Sequence, residues 1–239
     1  MTTHNIELIE GYTDKDGNIH KEVEIGKRLT VADVMLIERD PQAQNPVLYE
    51  DLIRRMMITR FGKLKMPLML PVLLKLDTID RDDLGFAINQ FLQNTRPNDN
   101  GELLPDNSVR LMFGLTIEST TYNVFKFGNR LTGQDQADAH AQKLDGISKA
   151  AFELGKQICE ISDFETGLTV KGSLTLEQIS KLDGEDFSLL RVAGELYRQS
   201  FRYGRKRVSE QRDGADGTSA DDKNVDDGKG NSESADRTV

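Results

Sequence analysis

The sequence contains no tryptophan, only one cysteine and only three histidines. The single cysteine, Cys159, excludes a disulfide within the chain and is typical of a protein kept in a reducing compartment. It lies in an apolar stretch, so we expect a small buried thiol rather than a nucleophile. Because aromatic residues are few, the core must consist mainly of aliphatic side chains, methionine and phenylalanine.

The residues that usually bind metals or phosphate do not occur in the required patterns. His4, His20 and His140 lie far apart, with no cysteine or carboxylate at the spacing of a zinc site. The phosphate-binding loops GxxxxGK[ST] and GxGxxG are absent. The segment 14–17 (DKDG) weakly resembles a calcium loop, but Val23 occupies the position that requires a bidentate glutamate. The sequence therefore predicts no catalytic, cofactor-binding or metal-binding residues, and no enzyme.

Long hydrophobic runs and an extended basic surface are also missing. The most apolar stretch, Met66–Leu76, is too short and too proline-rich to span a bilayer. The net charge of −9 argues against nucleic acid as the main partner. A basic cluster at 202–207 is the local exception, and we interpret it as the end of a helix rather than a phosphate-binding patch. With no signal peptide expected, the predicted location is the cytoplasm of the cell that makes the protein.

The last part of the chain has a different composition from the rest. Residues 209–239 contain no Leu, Ile, Met, Phe or Tyr, and their nine acids and four bases give a net charge of −5. Such a segment cannot bury enough apolar area to offset the entropy lost on ordering. We therefore predict a disordered acidic tail over residues 205–239.

Two blocks of sequence occur twice, in the same order. The block IGKRLTVAD at 25–33 recurs as FGNRLTGQD at 127–135, shifted by 102 residues. The block KLDTIDRDDLGFA at 75–87 recurs as KLDGEDFSLLRVA at 181–193, shifted by 106 residues. Two matched blocks with nearly the same separation indicate an internal duplication.

The duplication sets the predicted domain organisation. We expect a first repeat over residues 1–96 and a second over residues 108–204. Residues 97–107 between them are rich in Asn, Asp, Pro and Gly, which is typical of a linker.

Each repeat begins with the pattern of a β-hairpin. In the first repeat, Ile6–Glu10 and Lys21–Ile25 flank the turn-forming segment 14–17. In the second, Val109–Glu118 and Tyr122–Phe127 flank a short polar turn. With about three helices after each hairpin, the predicted fold class is α+β, with two similar small lobes.

Helix signals follow each hairpin. Thr30 and Thr132 are suitable N-caps, with Asp33 and Asp135 three residues later, as in a capping box. A middle helix is predicted in each repeat from apolar residues at helical spacing. These residues are Tyr49, Leu52, Ile53, Met56 and Met57 in the first repeat, and Ile147, Ala150, Ala151, Leu154, Ile158 and Ile161 in the second.

The last helix of each repeat begins at the LDxxD block. Asp77 and Asp183 are predicted N-caps. Asp80 and Asp186, three residues later, are predicted to offset the positive end of the helix. The core faces should include Leu84, Ala87, Ile88, Phe91 and Leu92 in the first repeat, and Leu190, Ala193, Leu196 and Tyr197 in the second. A short extra helix over Leu176–Leu182 is predicted in the second repeat alone.

Two further sets of residues have both a structural and a functional interpretation. One set is an acidic cluster that could supply catalytic carboxylates, although helix capping explains it better. It consists of Asp77, Asp80, Asp82 and Asp83. Methionine-rich surfaces adapt to varied partners, but core filling is the favoured interpretation of the apolar residues in the first repeat. Those residues are Met56, Met57, Met66, Leu68, Met69, Leu70, Val72, Leu73 and Leu74.

The order of these elements resembles that of a known family. A hairpin, an RLTxxD block, a helical middle and an LxxLDxxDxxxLxxAIxxF block resemble the Mu-like phage tail assembly chaperones. Here the blocks are Arg28–Asp33 and Leu73–Phe91. The resemblance covers residues 5–93 closely and residues 108–203 more loosely. Tandem duplication and the acidic tail are departures from the family pattern.

The resemblance implies a non-catalytic function in building a contractile phage tail. Such a chaperone binds the tape-measure protein or the tail-tube protein, or both, in the host cell cytoplasm and then leaves the particle. Nucleic acid and membranes are not expected partners, and a homo-oligomer is left open. The alternative is a structural tail or baseplate adaptor that stays in the virion.

Overall fold

The computed structural model of the chain describes the backbone of residues 2–213 and the side chains of residues 2–201. The first repeat contains β1 (His4–Thr13), β2 (Ile19–Ile25), α1 (Val31–Glu38), α2 (Pro46–Met57), β3 (Ile58–Phe61), α3 (Leu70–Leu74) and α4 (Thr78–Asn94). The second contains β4 (Glu102–Leu104), β5 (Ser108–Ile117), β6 (Thr120–Phe127), α5 (Gly133–Ala141), α6 (Gly146–Gln157), β7 (Ile158–Ser162), β8 (Thr169–Lys171), α7 (Leu176–Ser180) and α8 (Gly184–Asp213).

Each repeat forms its own antiparallel sheet. The first sheet has the order β1-β2-β3, and the second has the order β4-β5-β6-β7-β8. Helices pack beside the sheets, so the predicted α+β fold class is confirmed. Both predicted hairpins are present, as β1-β2 and β5-β6.

A third strand in each repeat was missed by the sequence analysis. Ile158 and Ile161 were predicted to extend the middle helix, but α6 ends at Gln157 and both residues lie in β7. There they are buried, and Ile161 lies opposite Phe125 of β6. A buried residue every third or fourth position fits a helix, but sheet pairing determines the conformation here. The same change from helix to strand occurs at the start of β3.

Two smaller predictions were also wrong. The extra short helix was expected in the second repeat alone, but α3 of the first repeat is the counterpart of α7. The predicted linker at residues 97–107 contains β4, which pairs with β5 and adds an outer strand to the second sheet. The repeats are therefore more alike in their helices and less alike in their sheets than the sequence indicated.

The core of each repeat is aliphatic, as predicted. In the first repeat, the buried face of α4 consists of Leu84, Ala87, Ile88 and Phe91, which pack with residues of all three strands. Burying one such large side chain stabilises the fold by about 1.5–3 kcal/mol. In α8 the counterparts Leu190, Ala193 and Tyr197 are buried, whereas Leu196 is 49% exposed and is not a core residue.

Polar residues begin the helices where the sequence predicted caps. Thr30 with Asp33, and Thr132 with Asp135, form complete capping boxes at the starts of α1 and α5. Asp77 accepts a hydrogen bond of 2.9 Å from the amide of Ile79 at the start of α4. These contacts satisfy amide groups that a helix leaves free in its first turn.

Asp80 and Asp186 have a different role from the one predicted. Each carboxylate is fully buried and accepts hydrogen bonds from three consecutive amides of a neighbouring strand, not from its own helix. Asp80 binds the amides of residues 9–11, with the shortest distance 2.7 Å. Asp186 binds those of residues 112–114 at 2.7–2.9 Å. We call Asp80 and Asp186 the bulge carboxylates.

The bound amides lie where the hairpin pairing is interrupted. The register of β1 against β2 shifts between Glu7 and Tyr12, and that of β5 shifts between Arg110 and Leu115. Each interruption includes a glycine with positive φ, Gly11 or Gly114. A β-bulge leaves amides without a partner in the ladder, and the bulge carboxylates bind them. This identical arrangement supports the duplication.

The end of the second repeat differs from its predicted boundary. Helix α8 continues to Asp213, so the boundary predicted after residue 204 falls within a helix. The remainder of the predicted acidic tail, residues 214–239, lies outside the described residues. Among the described helices, none combines the length and the hydropathy that crossing a membrane requires.

Candidate binding cleft between the repeats

A short backbone pairing joins the first repeat to the second. The amide of Val31 donates to the carbonyl of Leu182, and the amide of Gly184 donates to the carbonyl of Leu29, both at 2.9 Å. These bonds make Thr30 and Asp183 an isolated antiparallel bridge. Helix α1 packs against α6 and α7, and its residues Val31, Met35 and Ile37 are buried.

Arg28 reinforces this junction. Its Nε donates to Asp183 Oδ2 at 2.8 Å, and its Nη2 lies 3.1 Å from Glu185 Oε1. Its Nη1 donates to the carbonyl of Leu92 at 2.9 Å. The guanidinium also lies 4.4 Å from the centre of the Phe113 ring, a distance that allows a cation–π interaction. One arginine from the RLT block thus contacts both repeats.

The charge of Arg28 is stabilised although the side chain is mostly buried. Burial alone lowers the pKa of Arg28, but hydrogen bonds and Coulomb attraction to Asp183 and Glu185 outweigh that effect and raise it. Hydrogen bonds to a charged group contribute about 1.5–3 kcal/mol, roughly twice a neutral one. From the sequence, Asp183 is predicted only as a helix cap. Its equivalence to Asp77 concealed the partner in the other repeat.

Beside Arg28 lies a cleft of about 530 Å³, which we call the inter-repeat cleft. Helices α2 and α4 form two of its walls, and the start of α8 forms the third. Its floor is apolar and its rim is charged. The floor residues are Leu29, Val34, Ile53, Met57, Ile88 and Leu92, and the charged rim residues are Arg28, Glu50, Arg54, Asp183 and Glu185. An apolar floor with a charged rim is typical of a site that binds an apolar side chain or one face of a helix.

A buried carboxylate fixes the charged wall of the cleft. Asp51 is fully buried and binds Arg54 at 3.2 Å and Arg81 at 2.6 Å. These contacts hold the Arg54 guanidinium at the cleft, beside Gly85. In the second repeat Ala151 and Phe187 take the places of Asp51 and Arg81, and both are buried. The ion pairs are therefore specific to the first repeat.

The equivalent groove of the second repeat, between α6 and α8, has a different lining. Glu153, Glu195 and Arg198 replace Ile53, Asn89 and Leu92 of the first repeat, and Arg198 pairs with both glutamates. Arg191 also lines this groove. The two grooves share a position in the fold but not a chemistry. The apolar cleft of the first repeat is the better candidate for a polypeptide partner.

The methionine-rich region of the first repeat is divided between core and surface. Met57 is fully buried and lines the cleft floor, which agrees with the favoured prediction of core filling. Met69 is 69% exposed. Further exposed apolar side chains of the first repeat lie on α3 and α4, at Leu74, Ile79 and Phe86. This region therefore supplies both core and apolar surface.

The three histidines do not come together. His20 is buried, its Nε2 lies 2.9 Å from Asp14 Oδ2, and its Nδ1 accepts from the amide of Lys63. His4 lies in β1 and His140 in α5. Across the described residues, no three His, Cys, Asp or Glu side chains are grouped as metal ligands would be.

Asp14 has a structural role in the turn of the first hairpin. Asp14 binds His20 and the amides of Asp16 and Asn18, so it organises the hairpin turn. The hydrogen bond with His20 is the largest of the effects that lower the pKa of Asp14.

Cys159 lies in β7 and is half-buried rather than fully buried, with its Sγ against Gly128.

The acidic cluster is divided by the fold. Asp80 is buried against the bulge of β1, whereas Asp77, Asp82 and Asp83 are exposed. Because the only buried carboxylate is already bonded to three amides, the group does not form a pair of carboxylates facing a common pocket. The structural interpretation of Asp80 holds, but its bonds extend to another element.

Comparisons with protein-family models, with curated proteins and with solved structures each found no match to this chain.

Proposed function

We propose that this chain is a tail assembly chaperone of a contractile-tailed phage. In this proposal it binds the tape-measure protein or the tail-tube protein while the tail is built, without catalysing a reaction. The inter-repeat cleft supports the binding activity. The resemblance of the RLTxxD and LDxxD blocks supports the choice of partner.

The chemistry of the cleft determines what the partner must present. Val34, Ile53 and Leu92 are half-buried and give the accessible part of the apolar floor. Arg28 and Arg54 lie at the rim with carboxylates beside them. An amphipathic helix satisfies both, because its apolar face can enter while its flanking charges meet the rim. Covering such a face prevents a partly assembled tail protein from aggregating.

The grooves of the two repeats differ in the chemistry of their lining. The groove of the second repeat is lined by ion pairs among Glu153, Glu195 and Arg198. The proposal therefore assigns client binding to the first repeat, and not to two equal sites. One binding site per chain is the expected stoichiometry.

Site-specific cross-linking tests the proposal. A photoreactive amino acid at position 89, which is exposed and lines the cleft, should cross-link to the tape-measure or tail-tube protein in cells assembling tails. Position 94 is the matched control, since Asn94 is also an exposed asparagine of α4 but does not line the cleft. Equal cross-linking from both positions, or cross-linking to neither protein, would count against the proposal.

The alternative function is a structural tail or baseplate adaptor. The exposed side chains Met69, Ile79 and Phe86 favour it, because a permanent partner would bury them. Mass spectrometry of purified virions separates the two functions. A chaperone is absent from finished particles, whereas an adaptor is present in a fixed copy number.

A further inference from the structure

The contact between the two repeats joins unlike surfaces. The RLT segment of the first repeat (28–31) pairs with the LD segment of the second (182–184). The reciprocal pair is the RLT segment at 130–133 and the LD segment at 76–78. No backbone hydrogen bond joins these two within the part of the chain that the structure describes. The arrangement is therefore heterologous, and it leaves the backbone of one segment of each kind without this pairing.

The residues that begin the helix in these two segments are exposed. Asp77 and Thr78 are exposed at the start of α4, and Thr132 and Gly133 are exposed at the start of α5. Thr78 and Gly133 are the first residues of their helices, where an amide has no acceptor within the helix. Their counterparts Gly184 and Val31 are the two residues whose amides join the repeats.

We propose that a second copy of this chain docks on the first through the same contact that joins the two repeats within one chain. Gly133 of one copy donates its amide hydrogen to the Leu76 carbonyl of the other. Thr78 of that other copy donates to the Leu131 carbonyl of the first. The proposal does not depend on the identity of any client protein.

The two surfaces bring acids of one repeat near an arginine of the other. On the first repeat, Asp77, Asp82 and Asp83 are exposed near the LD segment. On the second repeat, the groove between α6 and α8 contains Arg191 and Arg198, and Arg198 is paired with glutamates of its own repeat. Within the chain, the corresponding groove of the first repeat is lined by Asp183, Gly184, Glu185 and Ser188 of the second, the counterparts of residues 77, 78, 79 and 82. Between copies, Asp77 and Asp82 should therefore approach Arg191, while Arg198 stays paired with Glu153 and Glu195.

The contact between copies should be weaker than the one within the chain. Val31 and Met35 of α1 are buried against the second repeat, but their counterparts on α5, Gly133 and Ala137, are small and exposed. Less apolar area is then buried between copies, and the charged residues contribute a larger share. Association should consequently be reversible and should decrease as salt concentration rises.

A heterologous contact also determines the form of the assembly. Each chain that joins through one segment still presents the other, so a third copy can add in the same way. Rings or open chains result, depending on the rotation between copies. The smallest ring is a two-fold dimer in which each copy gives its RLT segment to the LD segment of the other.

Disulfide trapping tests the pairing directly. Residues directly opposite in an antiparallel bridge have Cα atoms close enough for a disulfide. In a Cys159→Ser background, one chain carries Thr132→Cys and a second, longer by a fusion tag, carries Asp77→Cys. Oxidation of the mixture should give a covalent dimer of one short and one long chain. The positive control is Thr30→Cys with Asp183→Cys in one chain, which should close internally.

One outcome of the disulfide-trapping experiment would overturn the proposal. If the control pair closes but the mixed dimer forms no more than dimers of either chain with itself, the copies do not meet through these segments. The control pair shows whether oxidation can trap this bridge geometry, so a negative result is informative.

Proline variants test the two amides in the otherwise native chain. Proline is tolerated at the first position of a helix and lacks the amide hydrogen. The preceding residues, Asp77 and Thr132, already have the extended conformation that a following proline requires. Sedimentation should show association weakened between about twofold and tenfold for Thr78→Pro or Gly133→Pro, the loss of one hydrogen bond. Thr78→Ala retains the amide and should associate as the native chain does.

A variant that strengthens the contact completes the test. Gly133→Val with Ala137→Met places on α5 the apolar residues that α1 has at Val31 and Met35. This chain should associate at lower concentration and at higher salt than the native chain. Association that is unchanged in both this variant and the proline variants would overturn the proposal.

Discussion

Replacing a bulge carboxylate should cost more stability than replacing an exposed acid near the start of the same helix. In Asp186→Ala, the amides of Met112, Phe113 and Gly114 lose their shared acceptor. Asp186 itself is fully buried. If it acted only on the positive end of α8, as the sequence indicated, the loss would be about 0.3–1 kcal/mol.

The structure predicts a larger value. Each buried donor left without a partner costs about 1–3 kcal/mol. Part of that cost is offset, because burial raises the pKa of Asp186 and so penalises the charged carboxylate in the folded protein. Water can also reach the bulge, where Met112 and Phe113 are only half-buried. The expected net loss is about 3 kcal/mol for the three donors together.

Urea unfolding followed by circular dichroism measures this difference. For a chain of this size, a loss of 3 kcal/mol corresponds to a decrease in Tm of roughly 6–12 °C. Asp80→Ala should behave similarly in the first repeat. Asp82→Ala is the control, because Asp82 is an exposed acid of the same helix turn. A loss below about 1 kcal/mol for both Asp80→Ala and Asp186→Ala would refute the reasoning.

Three further predictions concern the core, the hairpin turn and the junction. Leu84→Ala and Leu190→Ala should each cost about 2–5 kcal/mol in urea unfolding, because both side chains are buried; a small loss would show that these faces are not core. Hydrogen bonding with His20 lowers the pKa of Asp14 in the folded protein. The ionised Asp14 therefore stabilises the folded state above the pKa of an unfolded aspartate, near 4, and this stabilisation is lost as the pH falls below that value. Asp14→Asn should therefore flatten the acid side of a stability–pH curve, and an unchanged curve would contradict this. Arg28→Lys should cost about 1–3 kcal/mol, since lysine cannot bind Asp183 and the Leu92 carbonyl together; a stability equal to the native chain would mean that the junction does not depend on the guanidinium.

The local structure could largely be predicted from the sequence. Helix starts at Thr30 and Thr132 depend on residues three positions apart, and both capping boxes are present. The hairpins and the last helices also follow from local patterns. Such signals act within a few residues, and a single sequence contains them completely.

The contacts between distant residues could not be predicted in this way. Asp80 and Asp186 occupy positions where an acid is favourable for the helix, so nothing in the sequence indicated their strand partners. Likewise, Ile158 and Ile161 continue the apolar spacing of α6, although pairing with β6 places them in β7. In each case the local sequence pattern was compatible with two structural roles, and a contact with a distant residue determined which role the residue has.

The candidate cleft could not be predicted from the sequence either. Its floor comes from helices whose apolar faces were predicted only as core, and its third wall belongs to the other repeat. The duplication indicated two similar lobes but not that Arg28 of one would bind Asp183 of the other. Repeats give equivalent positions, whereas the surface that joins them depends on how they pack.

Calorimetric titration of the purified chain with tail-tube and tape-measure proteins, the clients named in the proposal, tests the proposed function most directly. The account predicts saturable binding to at least one of them, with a negative heat-capacity change from buried apolar surface. Asn89→Lys, in the cleft, should weaken that binding, and Asn94→Lys, outside it, should not. Binding to neither protein, or binding that both variants leave unchanged, would contradict the account.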